Sequence, residues 1–103
     1  MSTLDLAMQA SAMQAAVHLT RVAAAAGAST APAWVISSDG SVTGQFDGPH
    51  AVVALDGWRQ SVGTHTLWSD RIDGGLRWTL AATVQDVMIR LVAVAPMRTA
   101  VPA

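Results

Sequence analysis

Between Leu6 and Ala26 apolar residues recur at helical spacing on two sides at once. At about 100° per residue, Leu6, Ala10, Met13, Val17 and Ala24 share one side. Met8, Ala12, Ala15, Leu19, Val22 and Ala26 share the opposite one. Ser11, Gln14, His18 and Arg21 form a polar strip between them, and Asp5, Gln9 and Thr20 a thinner one. The run is rich in Ala and Met, which favour helix, and Ser2 followed by Asp5 has the form of a capping box at its start. A helix resting on one sheet needs a single apolar stripe, so the second requires other cover. The stripe of Met8, Ala12, Ala15, Leu19 and Val22 is therefore expected to pack on a second copy of the chain, since a self-complementary apolar face is what a symmetric dimer uses.

After this helix, residues 27–32 stop it and form a loop, and the composition of Ala33 to Ser38 predicts a short strand. Asp39-Gly40 is a two-residue hairpin signal leading into a returning strand from Ser41 to Phe46. Asp47-Gly48-Pro49 predicts a helix start, with Pro49 at the first helical position and Asp47 or Gly48 as the cap. Ala51, Leu55, Trp58 and Val62 then lie on one helical face, with Asp56, Arg59 and Gln60 turned away. The rival reading makes residues 50–55 a strand and Asp56-Gly57 another hairpin turn.

Thr64 to Asp70 has strand composition, and Asp73-Gly74-Gly75 is a turn. Leu76, Trp78, Leu80 and Ala82 alternate with Arg77, Thr79, Ala81 and Thr83, the pattern of a half-buried strand. Gln85-Asp86 breaks the run, and Val87, Ile89, Leu91 and Ala93 alternate with Met88, Arg90, Val92 and Val94 up to Pro96. The order α-β-β-α-β-β-β predicts an α+β fold: an antiparallel sheet of about five strands with the last three at its centre, and two helices on one face. Residues 1–95 are expected to form one domain and residues 96–103 a flexible tail.

Composition narrows the function more than it identifies it. A chain of 103 residues builds one modest core. Its hydrophobic share is 51% and its charged share 13%, about half the usual, which argues for apolar surface that needs a partner. The net charge of -1 offers no basic field to a phosphate backbone, and nucleic acid is not the expected partner. With no cysteine there is no disulfide, thiolate nucleophile or Cys-ligated zinc. No apolar run reaches the length of a membrane span, and the first residues carry no positive charge of a secretory signal, so a cytoplasmic protein is expected.

His18, His50 and His65 are too scattered for a metal-binding spacing, and no cofactor is expected. Trp34, Trp58, Trp68 and Trp78 are a heavy aromatic load beside one Phe. Trp58 and Trp78 fall on predicted core faces; Trp34 and Trp68 lie on weakly alternating strands, where each is a candidate binding anchor. His65, Asp70, Arg71, Asp73 and Arg77 crowd one hairpin, but strand alternation puts His65 and Asp70 on opposite faces. No nucleophile elbow, phosphate loop or dinucleotide fingerprint is present, so the chain does not read as an enzyme.

The helix ending AAGAST, the hairpin AWVISSDGSVTGQF and the helix AVVALDGWRQSVG give the stretch from Ala23 to Gly63 its character. That stretch resembles small accessory proteins of actinobacterial genomes and their phages, and the resemblance implies no catalytic or binding residue. The absence of Lys, Glu, Asn and Tyr beside 20 Ala agrees with a GC-rich source. The expected function is a non-enzymatic interaction or regulatory protein, a homodimer through its first helix. The alternatives are a small-molecule binding module with a pocket lined by Trp34 or Trp68, and a phage-encoded inhibitor of a host protein.

Overall fold

A computed structural model describes residues 5–96. Helix α1 runs Leu6–Ala25 and is capped by Asp5, whose carboxylate accepts hydrogen bonds from the amides of Ala7 and Met8. The expected capping box thus gives way to a simple cap one turn later, and Ser2 lies outside the described residues. At the other end Gly27 takes φ +97°, and the amides of Gly27 and Ala28 bond back to the carbonyls of Ala24 and Ala23. That pair of bonds is a Schellman closure, which needs a left-handed residue where Gly27 stands.

Strands β1 (Ala33–Ile36) and β2 (Val42–Phe46) form the first hairpin. Its connection spans residues 37–41 and is wider than the expected two-residue turn. The Asp39 carboxylate, 2.9 Å from the Ser41 amide nitrogen and 2.7 Å from its Oγ, accepts both bonds and closes the loop, while Gly40 takes φ +85°. Those two donors hold the Asp39 carboxyl below its ordinary value.

Helix α2 (Ala51–Arg59) begins two residues beyond Pro49, with His50 at its cap position. Ala51, Leu55, Trp58 and Val62 are all buried, so the helical reading of this segment holds and the hairpin reading does not. Trp58 packs edge-on to Trp34 and Phe46, and its Nε1–H donates to the Thr30 carbonyl at 2.8 Å. That bond ties the loop after α1 to the core.

Strands β3 (Thr66–Ile72), β4 (Gly75–Val84) and β5 (Val87–Pro96) complete a five-stranded sheet in the order β1-β2-β5-β4-β3. The sheet is mixed and not antiparallel throughout as expected, because β2 pairs with β5 in parallel, and its centre is β5 alone, not the last three strands, with the meander running out to one edge. The cause is directional. Helix α2 carries the chain back along the sheet, so β3 starts in the direction of β2, and the two hairpins after it return β5 to that direction. Pro96 pairs with Gly75 as the last residue of β5, so it belongs to the sheet, while the rest of the expected tail lies outside the described residues.

Both helices cover one face of this sheet, and one core joins them to Val42, Phe46, Leu80, Ile89, Leu91 and Ala93. The other face, carrying Thr43, Gln45, Trp68, Arg77, Thr79, Arg90 and Val92, bears no helix. Among the described residues no helix is long and apolar enough to cross a membrane.

Candidate interaction surfaces

The sheet decides which side of α1 is inside. Ala12, Ala15, Ala16, Leu19 and Ala23 are buried, with Leu19 only 1% exposed. Three of the five residues expected at a subunit interface, Ala12, Ala15 and Leu19, are therefore core residues of their own chain. Met8 and Val22 sit at the margin of that face and remain in part exposed. The physical reason is size. Alanines let the helix backbone approach the sheet, leaving Leu19 as the one large side chain that must be accommodated between them.

The side expected to face inward is the one left outside. Leu6 is 82% exposed, Met13 53% and Val17 48%. With Ala10, Thr20 and Ala24 they form a row spaced four, three, four, three and four residues apart, the 3.5-residue repeat of a helix-pairing seam. The row carries no charge. Thr20 adds little polarity to it, because its hydroxyl donates to the Ala16 carbonyl at 2.7 Å.

Beside this row, α1 and the edge strand β1 enclose a cleft of about 510 Å³. Met13, Val17, Thr20 and Arg21 form its helical wall, and Trp34 and Ile36 face them from β1. Trp34 lies across β2 because residue 44 is glycine: a Cβ there would stand 2.9 Å from the indole and 2.9 Å from Leu91. Arg21 is the single charged residue of the lining, and among the described residues it forms no ion pair. Of the two tryptophans singled out as anchors, Trp34 thus belongs to this cleft, half-buried against Trp58.

Trp68 is elsewhere. It is 41% exposed on the helix-free face, across β3 and β4 from Thr79. Arg77 on the same face holds Asp70 at 2.7 Å across the two strands, so the crowded hairpin of the sequence is a cross-strand ion pair at the surface. His65 stands before β3 with its Nδ1 2.7 Å from the Gly63 carbonyl and shares no bond with Asp70. His18 is exposed on α1 and His50 at the cap position of α2. Among the described residues no three His, Asp or Glu side chains converge as a metal-binding group would require.

Sequence reasoning missed the outward row and Arg21 as site residues. The 3.5-residue spacing was present, but composition did not show which of two similar stripes the sheet would take. Comparison with protein-family models, with curated proteins and with solved structures finds no match.

Proposed function

We propose that this chain is a non-enzymatic interaction protein that pairs with a second copy of itself through the outward row of α1. The observation that carries the reading is the uncharged line of Leu6, Met13 and Val17, exposed on a helix whose inner face is already fully used. A row with a 3.5-residue repeat is complementary to itself when two copies meet antiparallel. Centred between Met13 and Val17, that arrangement sets Met13 against the partner's Val17 and Leu6 against the partner's Ala24.

The chain contains no cysteine, so a single introduced thiol reports on the contact. In the antiparallel register residue 14 faces its own copy across the two-fold axis. Gln14→Cys is expected to form a disulfide-linked dimer on mild oxidation, and His18→Cys, on the same helix but displaced along it, is expected to remain unlinked. Equal cross-linking of both, or of neither, contradicts the arrangement.

A further inference from the structure

We propose that the cleft between α1 and β1 binds a single-chain fatty carboxylate, its hydrocarbon tail along Met13, Val17 and Trp34 and its head at Arg21. The inference goes beyond self-pairing and stands without it.

The cleft's volume of about 510 Å³ falls in the range of small-molecule sites, and its walls are apolar apart from two residues. One of these, Thr20, spends its hydroxyl on the Ala16 carbonyl. The other, Arg21, has a guanidinium with five donors and no carboxylate among the residues lining the cleft. An apolar channel with one uncompensated cation at its rim selects for a ligand that is apolar along its length and anionic at one end. The dimensions agree with a chain of moderate length. From Met13 to Arg21 the helix rises about 12 Å, which a saturated chain like that of decanoate spans. The opposite wall adds a flat surface, since the glycine at 44 lets Trp34 lie down over β2. A neutral alkane would leave the guanidinium unused, and a cationic amphiphile would be repelled by it.

The same residues serve both readings. Met13, Val17 and Arg21 line the cleft and also lie on or beside the pairing row, so a bound carboxylate and a twin helix contend for them.

The test titrates the full chain calorimetrically with decanoate, decylamine and decanol below their micellar ranges. Decanoate is expected to bind saturably at one molecule per chain and decylamine not at all, with decanol weaker than decanoate. Arg21→Gln, at an exposed helix position, is expected to keep the fold by circular dichroism while weakening decanoate about tenfold, the loss expected for one charge-assisted contact. Absence of saturable decanoate binding overturns the proposal. So does equal binding of the three probes, or an Arg21→Gln chain that binds decanoate as tightly as the natural one. A parallel light-scattering run separates this result from the pairing. Decanoate is expected to shift a dimer toward single chains; if the chain is single at every concentration, the pairing fails and the titration still decides the cleft.

Discussion

Helices α1 and α2 lie on the same sheet face and use their residues differently. Helix α2 turns Ala51, Leu55 and Trp58 into the core and leaves Asp56 and Arg59 outside, with Val53 its one exposed large apolar residue. Helix α1 has twenty residues, sends five of them into the same core, and keeps Leu6, Met13 and Val17 in line on its outside. Folding asks nothing of an outward face, so apolar content there reflects another demand when it is aligned and none when it is isolated. By that measure α2 is a helix that completes a core, and α1 is one that completes a core and offers a surface.

The contrast is broken most severely from the inside of α1. Leu19→Asp places a carboxylate among Ala12, Ala15 and Ala23 with no partner, and is expected to cost at least about 4 kcal/mol, measured by urea denaturation. A chain that folds normally with this change would mean that α1 is not seated as described. On α2 the outward side is expected to respond in the opposite direction. A Cβ at Gly57 meets nothing within 4 Å, so Gly57→Ala should raise stability by about 0.5–1 kcal/mol in the same assay without altering association.

The smallest effect concerns the turn beneath the start of α1, where Met8 reaches over Gly40. Asp39 titrates below its ordinary 3.8 because the folded chain bonds its carboxylate. A lowered carboxyl contributes stability that is complete above the ordinary value and disappears as pH falls through the folded one. Acidification below about pH 4 is therefore expected to loosen the Ser41 amide, seen as a loss of its protection against hydrogen exchange relative to the intrinsic rate, before the protection of β5 amides changes. Simultaneous loosening of both would show that the turn has no separate response.

The order of elements was legible because each carries a strong local pattern. Alternation in β4 and β5 placed Leu80, Ile89 and Leu91 inside, and the spacing of Ala51, Leu55 and Trp58 identified the core side of α2. The parallel pairing of β2 with β5 was not legible: the pattern predicts an antiparallel sheet centred on the last three strands, and the order of elements fixes the direction of β5 but not that it lies beside β2. The seating of α1 was not legible. Its two stripes have similar hydrophobicity, and the choice was made by side-chain volume against the particular surface of Val42, Ile89 and Leu91, which no local pattern encodes. Arg21 was hidden for a related reason. It becomes a cleft residue only when β1, some twelve residues later, brings Trp34 and Ile36 beside it.

The central claim is that the outward row of α1 is a pairing surface, and it is tested most directly by light-scattering mass across a concentration series. The natural chain is expected to reach the mass of two 10.7 kDa chains. The double variant Met13→Gln with Val17→Gln, which changes exposed positions only, is expected to stay at one chain with stability within about 0.5 kcal/mol of the natural protein. A natural chain that remains single at high concentration, or a double variant that still pairs, would contradict the account.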